Sequence, residues 1–271
     1  ISFSKTFRGY PSLNISLTAS HSQNTRSKTV NLVLPTFQGN VERVYPFVKK
    51  NGQKKGFFKN INLQYSFRGE NRINTTDSLF FKKGMFDDAK YGMKHSIPVS
   101  TNFKVLKHLS VSMNGNFNEV WTGNTINRTD YNISNQQQSE KIKIKGFDRF
   151  NQYDFGMSVG TTIYGLFNFK ENSKIQSIRH VIRPSVSYNI RPSFKKYYDT
   201  YIIDADGNTA EYTRFEDNFF GLPSKRYSSS IGLQISNNLE AKVKDKDSLA
   251  TEPKKVTILN NLNISTNYNL A

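Results

Sequence analysis

Alternation of apolar and polar residues with a period of two is the feature that most constrains this chain. Residues 226–243 and 254–270 place apolar side chains at about every second position, with amides and hydroxyls between them. The segments 12–21, 58–69 and 108–122 repeat this pattern. Because successive side chains of a β-strand point to opposite faces, the pattern predicts a sheet with one apolar and one polar face.

The spacing of these segments predicts roughly eleven strands, several of them near the ~10 residues that cross a bilayer. Strands of globular proteins average about 5–6 residues. The polar positions hold mainly Asn, Ser, Thr and Gln, with charges mostly at strand ends, whereas a sandwich would be charged outside. The expected spans are 1–8, 12–21, 29–35, 40–48, 58–69, 94–106, 108–122, 150–169, 176–191, 226–243 and 254–270.

The predicted fold class is therefore all-β, an antiparallel transmembrane β-barrel. Both ends of the sequence look strand-like, so we interpret residues 1–271 as an internal fragment of one large outer-membrane barrel domain. Long connections are expected at 69–93, 122–149 and 192–225, with short turns at Lys107, Asn172–Ser173 and 245–253. Strand counting puts the three long connections at one end, as in barrels with long external loops.

The amino-acid composition agrees with a barrel and restricts the classes of binding partner that we expect. Hydrophobic residues make up only 36% of the chain, yet it has 21 Phe and 14 Tyr, which is unlike an aromatic-poor disordered chain. The net charge of +17 fits a solvated basic surface or an anionic partner such as a phosphorylated lipid. No recognition helix accompanies the charge, so we expect no nucleic-acid partner.

The alternation also predicts which side chains face which environment. The polar positions are expected to face a water-filled lumen: Asn114, Asn116, Gln234, Ser236, Asn261 and Asn263. The apolar positions are expected to face membrane lipid: Leu63, Val111, Phe117, Leu233, Ile258 and Ile264. Aromatic residues near the expected strand ends should mark the interfacial girdles: Trp121, Tyr153, Phe169, Tyr188 and Tyr227.

No motif for catalysis, cofactor binding or metal binding is found, and we expect no enzyme activity. The four histidines lack metal-ligand spacing, and the chain has no cysteine. The segment 204–208 begins like a calcium loop, but Phe215 stands where the loop needs Glu, which favours a tight turn. Lys49, Lys50, Lys54 and Lys55 favour a solvated hairpin tip over a specific anion site.

Two prolines interrupt convincing strands. Pro98 and Pro184 cannot donate a ladder hydrogen bond, which favours a strand end at the membrane rim. The alternative is a weakened seam, which a barrel that opens laterally could use.

Four phrases in this order resemble one family: residues 21–35, HSQNTR followed by VNLVLP; 41–47, VERVYPF; 93–107, MKHSIPVST with FKVLK; and 179–188, RHVIRPSVSY. They resemble the barrel of the LptD lipopolysaccharide-assembly family in its Bacteroidota form, over nearly the whole chain. The resemblance implies location in the cell outer membrane and transport of lipopolysaccharide through the lumen and a lateral opening.

The implied partners are lipopolysaccharide, an LptE-like lipoprotein plug, membrane lipid, and a periplasmic bridge protein that acts through a jellyroll not seen here. The resemblance brings no catalytic residue and no cofactor. Two other functions remain open: another large outer-membrane barrel, for protein translocation or nutrient uptake, and a secreted all-β binding module.

Overall fold

The sheet dominates the architecture of the chain. The computed structural model describes residues 1–49, 52–54, 56–170, 173–244 and 253–271. In chain order the strands are β1 (Ser2–Phe7), β2 (Leu13–Asn24), β3 (Thr29–Val44), β4 (Asn62–Thr76), β5 (Lys90–Val105), β6 (Leu109–Arg128), β7 (Lys141–Gly160), β8 (Ile163–Asn168), β9 (Ile175–Arg191), β10 (Tyr198–Ile202), β11 (Thr209–Thr213), β12 (Ser228–Val243) and β13 (Lys254–Asn269).

Eleven of these strands form one antiparallel sheet in the order β1-β2-β3-β4-β5-β6-β7-β9-β12-β13, with β8 paired to β9. The remaining two, β10 and β11, pair only with each other. The prediction of an all-β antiparallel fold is confirmed. Its long strands are confirmed as well, since β6 and β7 each have 20 residues.

In the part of the chain that the structure describes, helical structure is limited to single turns between strands. Helix α1 (Gly56–Asn60) lies between β3 and β4, and helix α2 (Lys83–Asp87) lies between β4 and β5. Short 3-10 turns cover Asp77–Leu79 and Lys195–Tyr197. None of the helices in the described ranges has the length and hydrophobicity required for a membrane span.

Several expected boundaries were wrong. The two strands expected at 29–35 and 40–48 are the single strand β3, whose register to β4 shifts between Val33 and Thr36. The strand expected at 150–169 begins at Lys141 and is divided into β7 and β8. Both pair with β9 in one register, so β8 continues the line of β7.

The long connections are shorter than expected because the strands continue into them. β4 runs to Thr76 and β5 starts at Lys90, while β6 runs to Arg128 and β7 starts at Lys141. All three long connections still lie at one end of the sheet, with the tight turn at Leu106–His108 at the other. The expected turns at Asn172–Ser173 and 245–253 fall mostly outside the described residues.

The third long connection, residues 192–227, contains the hairpin of β10 and β11, which the sequence pattern missed. The turn between these strands was predicted. Asp204 Oδ1 accepts hydrogen bonds from the backbone N–H groups of Asp206 and Asn208, at 3.1 and 3.0 Å. Gly207 has φ +78°, a conformation that glycine adopts without a steric penalty.

Both interior prolines lie in mid-strand, so the strand-end interpretation was wrong. Pro98 lies inside β5 opposite Asn116 of β6, and Pro184 lies inside β9 opposite Ile235 of β12. On the other side of its strand, each proline lies at a gap of two residue pairs in the ladder to the neighbouring strand. These gaps fall between Leu63 and Ser66 of β4 for Pro98, and between β7 and β8 for Pro184.

Candidate functional site

The register divides the sheet into two chemically different faces, because directly opposed residues of an antiparallel pair point the same way. One line of pairs runs Ser110, Gly160, Ser185, Gln234, Ser265 from β6 to β13. The side of the sheet that carries this line is the polar face. The adjacent line runs Val111, Val159, Val186, Leu233, Thr266, and its side is the apolar face.

The polar residues singled out in the sequence lie together on the polar face. Asn114 opposes Gly156, and Asn116 donates a hydrogen bond from Nδ2 to Asp154 Oδ1 at 2.8 Å. Gln234 opposes Ser265, and Ser236 opposes Asn263. Asn261 has φ 59° at a register shift, and its Oδ1 accepts a hydrogen bond from Ser236 Oγ at 2.9 Å.

Most of the apolar set lies on the apolar face. Phe117 opposes Ile97 and Tyr153, while Leu63 opposes Val99. Leu233 and Ile264 are 41% and 59% exposed, as large apolar side chains on an uncovered face would be.

Two members of the apolar set differ from the rest. Val111 shares the apolar face but is only 5% exposed, and it lines a cleft together with Gly56 and Asn60 of helix α1. Ile258 lies among the register shifts between Asn237 and Glu240 of β12, and it has no assigned partner on that strand. The register therefore gives no face for Ile258.

The aromatic set is only partly at strand ends. Tyr227 directly precedes β12 and Phe169 directly follows β8, but Trp121, Tyr153 and Tyr188 lie inside strands. Trp121 is on the apolar face opposite Met93, and its Nε1–H donates to Glu119 Oε1 at 2.8 Å. An interfacial role for this set stays a prediction.

A strip of small residues runs across the polar face. A Cβ atom at Gly156 would lie 2.8 Å from Oδ1 of both Asn114 and Asn189, so a larger residue there would displace these two side-chain amides. The strip consists of Gly156, Ser158, Gly160, Ser185, Ser187 and Gly232.

Charge on the polar face is higher than the sequence reasoning expected. Glu70 is 4% exposed and forms ion pairs with Arg68 and Arg72. The register assigns these basic residues to the face: Arg68, Arg72, Lys90, Lys94, Lys104, Arg179, Arg183, Arg191, Lys242 and Lys255. The acidic ones are fewer: Glu42, Glu70, Asp148, Asp154 and Glu240.

The basic residues could have been found by continuing each strand's alternation through its charged positions. Arg68 and Lys94 also line a recess of about 340 Å³ on the polar face, together with hydroxyls and amides of β2 to β5. Such a recess offers charge-assisted hydrogen bonds to phosphate and neutral ones to sugar hydroxyls. Its further lining residues include Asn14, Ser16, Gln38, Asn40, Ser66 and Ser96.

The connection 192–227 closes part of the polar face at the end with the long connections. Val120 of β6 and Phe150 of β7 oppose each other on the polar face and are 1% exposed. They form a buried cluster with Phe194, Tyr197 and Phe215 of the connection. Burial of this size contributes about 1.5–3 kcal/mol for each large side chain, so the connection is firmly packed.

Ion pairs fasten the same connection to the β6–β7 hairpin. Arg214 Nε lies 2.6 Å from Asp148 Oδ2, and Lys141 Nζ lies 2.8 Å from Asp217 Oδ1. Burial alone would raise the pKa of the Asp217 carboxyl. The hydrogen bond from Lys141 and the charges of Lys90 and Lys141 outweigh burial and hold this pKa below 3.8.

The described residues contain no evident metal site, because no three His, Asp or Glu side chains among them are grouped closely enough to hold a metal ion.

Comparison with known families gives one match. The family model described as "LptD protein" matches residues 1–271 of this chain. The family belongs to the outer membrane and serves lipopolysaccharide transport and assembly, and it is not an enzyme family. Neither the curated proteins nor the solved structures include a match to the chain.

Proposed function

Because this chain belongs to the LptD protein family, as the match over all 271 residues shows, we propose that it forms part of the wall of an outer-membrane barrel. The whole stretch 1–271 contributes to one barrel domain. The barrel transports lipopolysaccharide through its lumen and releases it into the outer leaflet through a lateral opening.

The observation that carries this proposal is the division of one long sheet into two faces. The apolar face exposes large side chains such as Leu233, Val186 and Ile264, which suits contact with lipid tails. The polar face presents amides, hydroxyls and an excess of basic groups, which suits a ligand that bears sugars and phosphates. Contacts of this kind are numerous and individually weak, so a ligand can pass along them.

The proposal also gives the sheet an orientation. Barrels of this type have short turns in the periplasm and long loops outside. The three long connections, among them residues 192–227, then lie at the cell surface, and the turn at Leu106–His108 lies in the periplasm. Lipopolysaccharide arrives at the periplasmic end from a bridge protein, and an LptE-like lipoprotein occupies part of the lumen.

Photocrosslinking in cells tests the lumen assignment. A crosslinker at Asn114, Asn116 or Gln234 should capture lipopolysaccharide or the lipoprotein plug. The matched position is Leu233, the immediate neighbour of Gln234 on the opposite face, which should capture bulk membrane lipid and not the lipoprotein plug. If the polar positions capture neither ligand while lipopolysaccharide still reaches the surface, the proposed route is wrong.

A further inference from the structure

The connector between β3 and β4, residues 45–61, combines positive charge with aromatic side chains. Its sequence contains five lysines at positions 49, 50, 54, 55 and 59, four aromatic residues, and no acidic residue. The structure describes all of it except Lys50, Asn51 and Lys55. The sequence alone favoured a solvated hairpin tip, but the structure brings the aromatic residues of the connector together.

Helix α1 holds the connector against the apolar face of the sheet. The ring of Phe57 packs edge-on to Phe103 of β5, with 5.1 Å between centroids. Thr101 Oγ1 donates a hydrogen bond to the carbonyl oxygen of Phe57 at 3.1 Å, and Thr101 is 6% exposed. Phe103 and Thr101 oppose Val111 and Met113, so they belong to the apolar face.

The outer side of the connector is an uncovered aromatic cluster. Phe58 is 67% exposed and Phe47 is 57% exposed, and their ring centroids are 6.4 Å apart. Phe57 is 5.0 Å from Phe58 by the same measure. Three phenylalanines held together in water would expose apolar area without gain, whereas at a membrane surface they enter the acyl region.

Lys49, Lys54 and Lys59 belong to the same connector as this cluster. Lys54 Nζ lies 3.6 Å from the ring centroid of Tyr45, so this ammonium group is held over another residue of the connector. Lys49 and Lys59 are exposed. Within the described ranges, no salt bridge joins Lys49, Lys54 or Lys59 to a carboxylate. The positive charge of this element is therefore available to an anionic ligand.

Two clefts beside helix α1 have complementary linings. The larger, about 530 Å³, is lined by two lysines, Lys54 and Lys104, together with Asn60, Phe103 and Val111. The smaller, about 250 Å³, has an almost wholly apolar lining that includes Phe57, Ile61, Val99, Met113 and Phe155. One cleft offers cations next to an apolar wall, and the other continues along the apolar face, as a headgroup and an acyl chain would require.

We propose that the connector 45–61 binds anionic phospholipid of the periplasmic leaflet, with the phosphate near Lys54 and an acyl chain along Phe57. The leaflet assignment rests on the orientation given under the proposed function, because the connector lies at the same end of the sheet as the turn at Leu106–His108. The exposed phenylalanines favour a lipid over a soluble anion, since a free phosphate would leave Phe47 and Phe58 without a partner. Binding here anchors the periplasmic rim of the sheet to its leaflet.

Lipid binding to the intact protein, purified in a non-ionic detergent, tests the proposal. The probes are phosphatidylglycerol and phosphatidylcholine with the same acyl chains, and the readout is the number of retained lipids and their affinity by native mass spectrometry. The test variant is Lys54→Gln with Lys59→Gln. The matched control is Lys82→Gln with Lys83→Gln, two exposed lysines near Phe81 in the β4–β5 connection at the opposite end.

We expect phosphatidylglycerol to bind more tightly than phosphatidylcholine. The test variant should bind it about ten- to thirty-fold more weakly, because each of the two lost lysine charges contributes roughly a factor of three to five to the affinity. The control variant should bind it unchanged. A second variant, Phe47→Ser with Phe58→Ser, should lose affinity for both lipids while keeping the thermal unfolding transition of the parent protein.

Several results would overturn the proposal. Equal binding of both lipids, or equal loss in the control variant, removes the assigned site. Competition by free glycerol phosphate at the same concentration as the lipid makes it a soluble-anion site. Capture of a protein rather than phospholipid by a crosslinker at Phe58 in cells makes it a protein-docking surface. Surface lipopolysaccharide, measured on the same variants, reports separately on the proposed transport function.

Discussion

Thr161 donates its backbone N–H to the carbonyl oxygen of Pro184 at 3.1 Å, and Pro184 has no N–H with which to complete the pair. The break between β7 and β8 lies at this pair, although both strands keep one register to β9. A single proline therefore divides what would otherwise be one continuous strand from Lys141 to Asn168.

Replacing this proline should close the gap. In Pro184→Ala the new N–H can donate to the carbonyl oxygen of Thr161, and one such bond contributes about 0.5–1.5 kcal/mol. Amide hydrogen exchange at Thr161 and Ile163, whose N–H groups face β9, should slow by up to about tenfold. Ser185→Ala, which alters a side chain but no backbone group, is the control. Unchanged exchange in Pro184→Ala would mean that the proline is not what interrupts the ladder.

Adjacent substitutions on β12 should differ sharply in their cost. Leu233→Arg buries a guanidinium in lipid and should destabilise the folded protein by ~2–4 kcal/mol near the bilayer midplane. Gln234→Arg puts the same group on the polar face, where the loss should be small. Urea unfolding in liposomes measures both free energies. Comparable losses in the two variants would contradict the assignment of the faces.

Acid should release the connection 192–227 from the β6–β7 hairpin. The folded-state pKa of Asp217 lies below its ordinary value of 3.8, so its pairing with Lys141 stabilises the docked connection above about pH 4 and is lost as pH falls below that. Hydrogen exchange of residues 214–218 should accelerate as pH falls below about 4, after correction for intrinsic rates.

Asp217→Asn should show the faster exchange already at neutral pH. Asp199→Asn, at an exposed position of β10 in the same connection, should behave like the parent protein. A pH profile that is the same with and without the Asp217 carboxyl would assign the acid response to another group.

Trp121 should report the depth of the apolar face near its outer end. It is the single tryptophan of the chain, is 36% exposed, and has its indole N–H bonded to Glu119. An amphipathic ring in this setting belongs at the membrane interface. Quenchers placed near the lipid headgroup should therefore reduce its fluorescence more than quenchers at the bilayer centre. Stronger quenching at the centre would exclude Trp121 from the girdle.

Alternation predicted the sheet where both neighbours of a strand are regular. For β12, the residues read as apolar and polar fall on opposite faces from Ile231 to Ser236, as the register requires. The alternation pattern predicted strand boundaries wrongly at register shifts. The shift near Pro35 moves the alternation of β3 out of phase, so one strand was read as two.

The remaining errors concern contacts between distant parts of the chain. Phe194 and Phe215 look like loop residues in the sequence, because nothing local indicates that they pack on Val120 and Phe150. The aromatic cluster of the connector is similar. Phe47 and Phe58 are separated in the sequence by a mostly polar stretch, and only the structure brings their rings together.

The strip of small residues around Gly156 gives a short part of the polar face low relief, between the charged pair Asp154 and Arg191 at one end and Arg183 at the other. Such a surface discriminates between ligands mainly by their size and only weakly by their chemical groups, because few side chains protrude from it. Cargo whose sugar units differ in number or identity would meet the same resistance there. Along this part of the route, tolerance of variable glycans would follow from the shape of the wall itself.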